Sequence, residues 1–302
     1  MIVVFGSINL DFIATLEHLP KPGETALGAT YITAPGGKGA NQALAAARMG
    51  AKVKMIGAVG RDSVAVEALA LLSAEGVDLT GVRDVELPTG AAFIGVDAQG
   101  ENLIMVASGA NAAVKADALR ALKLTENDIL LVQREVPERE LANAVGYAHA
   151  QGARVILNAA PAGRVAPELL LALDVLITNE HEAAIVAQGL GITATDPGEI
   201  ARIIDAEHGV ATIVTLGAAG AIGWTGGVRR PVSAPAITAI DTVGAGDCFC
   251  GAFAAALDAG FGFTGALARA VAAGSLACRK AGAQPSFPLR AEVENALEGW
   301  FT

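Results

Sequence analysis

The segment D-T-V-G-A-G-D, Asp241 to Asp247, runs directly into the small-residue helical pattern Cys248–Leu257. Gly244, Ala245 and Gly246 can aim successive backbone N–H groups at one point, and a helix start adds the positive end of its dipole. The segment therefore predicts an anion hole. Asp247 beside that hole can take a proton from a nearby hydroxyl, and the same residue would also serve as a plain helix N-cap. An anion hole next to a base is what phosphoryl transfer to an alcohol requires, because catalysis there is mostly positioning and charge stabilisation.

Working outward, short apolar runs alternate with amphipathic ones. The strand patterns are Ile2–Phe5, Val53–Ile56, Ile129–Val132, Val155–Leu157, Val175–Ile177 and Thr212–Leu216. Between them lie the helical patterns Ala40–Met49, Ser63–Ala74, Glu138–Gln151, Glu180–Ala187 and Glu199–Glu207. The C-terminal third adds helices over Asp247–Asp258, Gly265–Arg279 and Leu289–Trp300. Apolar strands alternating with helices predict an α/β fold, a mostly parallel central sheet covered on both faces. Two segments break the rhythm: residues 11–35 hold a Pro/Gly turn between extended runs, and residues 89–109 read as a hairpin around Asp97–Gly100. These would form a small separate sheet or extend the main one. No internal repeat or linker divides the chain.

Composition excludes several classes. Of 302 residues, 53% are apolar and 17% charged, which raises the question of a membrane span. The longest run free of Asp, Glu, Lys, Arg and His is Gly209–Val228, but its six glycines split it into two short strand patterns rather than one spanning helix. A net charge of −10 argues against nucleic acid, whose backbone calls for clustered Lys and Arg. Strand pattern begins at Ile2, leaving no room for a signal peptide, and the three cysteines read as small apolar residues of a reducing cytoplasm. Cys248 and Cys250 lack the spacing and the histidine that zinc requires.

Three further segments carry chemistry. Gly6-Ser7-Ile8-Asn9-Leu10-Asp11 follows the first strand, where open α/β sheets bind ligands. It lacks the G-x-G-x-x-G of a dinucleotide site, so a nicotinamide-dependent oxidoreductase fits poorly. Asn9 and Asp11 are two apart and in an extended chain face the same way, suiting a vicinal diol; an Asx turn is the alternative. Pro35-Gly36-Gly37-Lys38-Gly39-Ala40-Asn41 opens an Ala-rich helix. Its glycines let backbone approach a ligand where free N–H groups favour acceptors, although Ile32 and Gly39 exclude a Walker A loop. Asn179-Glu180-His181-Glu182 reads as a capping box, or as an amide and a carboxylate reaching Mg²⁺-bound phosphates through water. Ile185 excludes a zinc-peptidase H-E-x-x-H.

In this order and at these separations the four segments resemble the ribokinase-like, or phosphofructokinase-B, family of carbohydrate kinases over essentially the whole chain. Gly36–Gly60 resembles the first signature region of that family, and D-T-V-G-A-G-D-C-F-C-G-A-F-A (Asp241–Ala254) its second. G-G-K-G-A-N-Q-A, S-G-A-N-A-A, N-A-A-P-A and R-K-A-G-A-Q-P-S-F-P resemble its ribose kinases most. The resemblance implies an ATP-dependent kinase acting on the 5-hydroxyl of D-ribose, with 2-deoxyribose, another sugar or a nucleoside as alternative acceptors. It implies sugar contacts from Asn9, Asp11, Gly37, Lys38, Gly39, Asn41 and Glu135, with Asp247 as base and the amides of Gly244, Ala245 and Gly246 on the transferring phosphoryl group. Asn179 and Glu182 would organise phosphate and Mg²⁺. Thr215, Leu216, Gly217, Ala218, Ala219 and Gly220 would line the nucleotide site, with Val271 near the base. Asp241, Val243, Ala277, Lys280, Gly282 and Ser286 would surround K⁺. Residues 1–10, 36–88 and 110–302 would form the main domain, and residues 11–35 and 89–109 a β lid that also makes a cytoplasmic homodimer. The chain departs from the family pattern at Arg134, Val136, Cys248 and Val271. A non-catalytic sugar binder would be expected to have lost the base or the glycines, and both are present.

Overall fold

The computed structural model describes residues 1–26 and 30–300, so the part of the first lid segment at 27–29 lies outside the described residues. From the N-terminus the elements are β1 (Ile2–Phe5), β2 (Asn9–Thr15), β3 (Thr30–Gly36), α1 (Lys38–Arg48), β4 (Val53–Gly60), α2 (Ser63–Ala74), β5 (Asp78–Val85), β6 (Gly90–Val96) and β7 (Asn102–Ala107). There follow β8 (Ile129–Val132), α3 (Glu138–Ala150), β9 (Arg154–Asn158), α4 (Pro167–Leu170), β10 (Val175–Asn179), α5 (Glu180–Leu190) and α6 (Pro197–His208). The chain ends with β11 (Ala211–Thr215), β12 (Ala221–Thr225), β13 (Val228–Val232), α7 (Ala245–Asp258), α8 (Phe263–Ala277) and α9 (Arg290–Trp300).

A nine-stranded sheet runs β13-β12-β11-β10-β9-β8-β1-β4-β5. It is parallel from β11 to β5, and β12 and β13 close one edge antiparallel. Its central strands β1 and β8 are apolar and buried on both faces. Ile2 and Val4 of β1 point into one core while Val3 and Phe5 point into the other. The first core packs under α1, α2, α7, α8 and α9, and the second under α3 to α6. The result is the three-layer arrangement expected when a parallel sheet buries both faces.

The two irregular segments form a sheet of their own, in the order β3-β2-β6-β7, rather than extending the main one. Its outer pairs are antiparallel, and the central pair, β2 with β6, is parallel. The hairpin turn is held by Asp97, whose Oδ1 accepts from the N–H groups of Gln99 and Glu101. The uncharged run Gly209–Val228 breaks into β11, β12 and the start of β13, as its glycines required. Among the described residues, no helix is long and apolar enough to cross a membrane.

Candidate active site

β1 lies between β4 and β8, so the chain leaves it to one side early and to the other side later. Such a switch opens a crevice at the carboxyl ends of the strands. Ser7 follows β1 there and Glu135 follows β8; Ser7 Oγ donates to Glu135 Oε2 at 2.6 Å. The same Oε2 accepts the Lys38 N–H at 3.1 Å, while Ser7 takes the next two amides, that of Gly39 on Oγ and that of Ala40 on its carbonyl. The N–H groups opening α1 are thus spent on protein acceptors, a correction to the expectation that they stand free for a ligand. What this loop brings to a cavity wall is Lys38, while the Asn41 side chain is buried beside Asp247.

At the start of α7, Gly244 is the N-cap, with φ 76°, a left-handed conformation that strains any residue with a Cβ. The helix begins at Ala245, so Asp247 is its third residue and not its N-cap, which excludes the alternative reading of that aspartate. Its carboxylate takes no helix N–H. Asn41 Nδ2 donates to Oδ2 and Gln42 Nε2 to Oδ1, both at 2.9 Å. Of the three amides expected to form the anion hole, that of Ala245 donates to Thr242 O at 3.2 Å. Among the described residues, the amides of Gly244 and Gly246, the other two, have no acceptor, and neither does that of Asp247, which was not among the three. First-turn N–H groups without an intrahelical partner are where an anion binds.

Two cavities flank this point. One, of about 430 Å³, is lined by Asn9, Asn111 and Glu135, with Ser108 on the small-sheet side and Arg134 opposite. The other, of about 150 Å³, is lined by Lys38, Asn179, Glu182, Thr215, Gly246 and Asp247 among others. Asn179 and Glu182 form the capping box of α5 with both reciprocal bonds present. Thr215 ends β11, and the turn Gly217–Ala219 beyond it is exposed. Asp241 accepts the N–H groups of Val243 and Gly282 and thereby ties the two loops expected to surround a monovalent cation. Lys280 in the second loop reaches Glu292 at 3.6 Å. Val271, expected beside the nucleobase, is instead packed in the core at 4% exposure and lines neither cavity.

The electrostatics are shared. Burial, then the Glu135 and Asp247 carboxylates, push the Asp11 carboxyl up to about 7, against the pull of Lys38. The Asp247 carboxylate foremost, with Glu135 and Glu182, holds the Lys38 ammonium above its ordinary range despite burial. The thiol of Cys250, in the wall of the smaller cavity, is pushed up by burial and takes no part as a nucleophile.

Residue-type reasoning missed several side chains at this site. Asn111 is buried, accepts the Ile8 N–H and donates to Asn9 Oδ1 at 2.7 Å, which fixes the expected sugar-binding amide. Ser7, Gln42, Gln133, Asn158 and Gln284 are also buried polar residues of this region. Asn111 stands in S-G-A-N-A-A and Gln42 in G-G-K-G-A-N-Q-A, so the signal was proximity to a motif.

Free amides at a helix start, a buried carboxylate two residues into that helix, and a crevice at the strand ends define a phosphotransferase. Residues 1–290 match the pfkB family of carbohydrate kinases, and this chain belongs to that family. It is 38% identical to the ribokinase of Haemophilus influenzae and 39% identical to that of Bacillus subtilis, covering 98% of this chain and at least 98% of each relative. Among solved structures it superimposes on the ribokinase of Thermotoga maritima with a TM-score of 0.89 at 35% identity, over 98% of this chain and 99% of the other. It also matches Arabidopsis thaliana ribokinase complexed with ribose and ATP, with a TM-score of 0.86 at 32% identity over 98% of both chains.

Proposed function

We propose that this chain is a cytoplasmic ATP-dependent kinase that transfers the γ-phosphoryl group to the 5-hydroxyl of D-ribose, giving ribose 5-phosphate. The observation that carries the reading is Asp247: a buried carboxylate, held by two amides, beside the acceptor-free N–H groups of α7. Near-full-length similarity to ribokinases supports the same acceptor. Asn9, Asp11, Glu135 and the side chains of Lys38 and Asn41 would take the sugar hydroxyls, leaving the primary hydroxyl against Asp247. Asp247 accepts its proton as the oxygen attacks. The amides of Gly246 and Asp247 then face the charge that spreads over the transferring oxygens, where preorganised donors contribute most.

ATP would enter over Thr215 and the exposed turn Gly217–Ala219, with its phosphates toward Asn179 and Lys38. Mg²⁺, which neutralises charge on the phosphates, fits this site as a partner of nucleotide and water. Among the described residues no cluster of three His, Cys, Asp or Glu could hold a metal alone, and Glu182 is a carboxylate of the phosphate-side cavity beside that of Asp247. K⁺ would sit between the loops joined by Asp241, where main-chain carbonyls would supply its oxygen ligands; the Asp241 carboxylate itself holds the loops together.

The small sheet, residues 11–35 and 89–109, would act as a lid, since Asn9 at its base and Ser108 at its end line the larger cavity. It carries Tyr31, Ile32, Phe93 and Leu103 to Val106 exposed on the surface. An apolar patch of this kind marks an interface, and a homodimer through the lid is the expected occupant.

A coupled assay of ADP release with D-ribose and Mg²⁺, in K⁺ and in Na⁺, tests the function. Turnover is expected, faster in K⁺. Asp247→Ala should lower kcat at least about 10³-fold in a protein that still folds, in line with losing a general base. Substantial turnover by that variant would remove Asp247 from the role. The same panel includes 2-deoxyribose, hexoses and nucleosides.

A further inference from the structure

The base sits at the meeting point of two chains of amides. Asn41 and Gln42, adjacent on α1, each give one N–H to a different oxygen of Asp247. A second amide stands behind each. Gln284 Nε2 donates to Asn41 Oδ1 at 3.1 Å, and Gln133 Nε2 donates to Gln42 Oε1 at 2.7 Å. Every bond along both chains therefore points its hydrogen toward the carboxylate. Gln42 Nε2 also reaches Asn158 Oδ1 at 3.1 Å, and Asn158 in turn donates to Ile177 O.

The cost of this polarity is visible at the far ends. Gln133 Oε1 and Gln284 Oε1 are buried with no partner among the described residues, and Gln42, Gln133 and Gln284 are all 0% exposed. Buried polar atoms are almost always paired, and an unpaired one is costly. Turning either outer glutamine over would set oxygen against oxygen at the inner bond. What the arrangement gains is charge-assisted bonding at Asp247, strengthened by polarisation along each chain in a dry interior. The Gln284 arm has its own anchor: Arg48 Nη1 donates to the main-chain oxygens of Gln284 and Phe287, both at 2.8 Å.

We propose that Gln42, Gln133 and Gln284 are positioning residues for the base, two converging amide chains that hold the plane of the Asp247 carboxylate against the acceptor hydroxyl. The proposal rests on the reading of Asp247 as the base. None of the three glutamines lines either cavity, so they act through Asp247 and Asn41 and not on a ligand. Removing a donor frees the carboxylate to rotate, and misplacement of about 1 Å at a reacting group can cost about 10²-fold in rate.

Steady-state kinetics with D-ribose and MgATP on the full chain test this, using Gln42→Met, Gln133→Met, Gln284→Met, the double variant Gln42→Met/Gln133→Met and Asp247→Asn, each with a melting curve. Gln42→Met should lower kcat about 10- to 100-fold while KM for ribose and for ATP stays within about twofold. Gln133→Met and Gln284→Met should lower kcat by smaller factors with the same split. The double variant should be no slower than Gln42→Met, because Gln133 acts through Gln42. If Gln42→Met does not fold, the two outer variants carry the test by the same kcat-against-KM split. Wild-type kcat in a folded Gln42→Met, losses confined to KM, or multiplicative losses in the double variant overturn the proposal. With Asp247→Asn inactive, those outcomes leave the base standing and remove only the amide chains. An active Asp247→Asn removes the base and the proposal with it.

Discussion

Asp11 shares a poorly solvated site with the Glu135 and Asp247 carboxylates and the Lys38 ammonium, and its carboxyl is raised to about 7. A carboxyl raised on folding binds its proton more tightly in the native state. The linked stability is full below its unfolded value near 4 and is lost as pH rises through about 7. Asp11→Asn should therefore stabilise the sugar-free protein at pH 8, by about 2 kcal/mol or less given partial solvation, and change little at pH 4. Thermal melts at the two pH values check this. On the proposed reading, sugar would change the balance, because its hydroxyls would donate to the ionised form. KM for ribose should fall as pH rises through about 7 in the wild type, and Asp11→Asn should raise it about 10- to 100-fold at pH 8, the worth of a bond to a charged acceptor. That Asp11 shares one face of β2 with Asn9 was legible from their i, i+2 spacing. Its raised pKa was not, since that depends first on burial and then on Glu135 and Asp247, which are far away in the chain.

At the level of elements, the base depends on how closely α1 meets α7. A Cβ on Gly251 would lie 2.4 Å from the main-chain oxygen of Gln42, so the helices touch backbone to backbone there. Gly251→Ala should push α1 away, costing about 1–3 kcal/mol as an overpacked core does and lowering kcat with the stability loss. A melting curve and kcat on one preparation would show both. The small-residue pattern after Asp247 announced this helix and its close packing. Its start was misplaced by two residues, because a glycine N-cap in the left-handed region lacks the side-chain signal that the usual polar cap provides. β5 was missed for a related reason: Asp78–Val85 carries charges on an edge strand that is mostly exposed, and so shows no clean alternation. Gln133 was unreadable as part of the site, and the only signal for Gln42 was its place beside Asn41 in a motif; their bonds span 91 and 205 residues, beyond the reach of any local pattern.

Across the whole molecule, the separate sheet β3-β2-β6-β7 settles the question that two Pro/Gly-punctuated segments left open. Strand patterns fix neither which sheet a hairpin joins nor which strands lie beside it, whereas the parallel β2–β6 pairing fixes both. Ile104 and Met105 are exposed in its outer strand. Ile104→Glu should convert the expected homodimer to a monomer in sedimentation, with the melting temperature of the main domain little changed. The high apolar content that first raised the question of a membrane belongs to the two cores on either side of the large sheet. With a net charge of −10, an anionic nucleotide would be drawn by the local groups of the proposed site, its free amides, Lys38 and Mg²⁺, and not by a general field. The most direct measurement is phosphorus NMR of the product formed from D-ribose, ATP and Mg²⁺ by the wild-type protein. A phosphomonoester signal coupled to the two C5 protons of ribose is the expected result. No such signal with ribose, while a nucleoside or another sugar is phosphorylated under the same conditions, would contradict it.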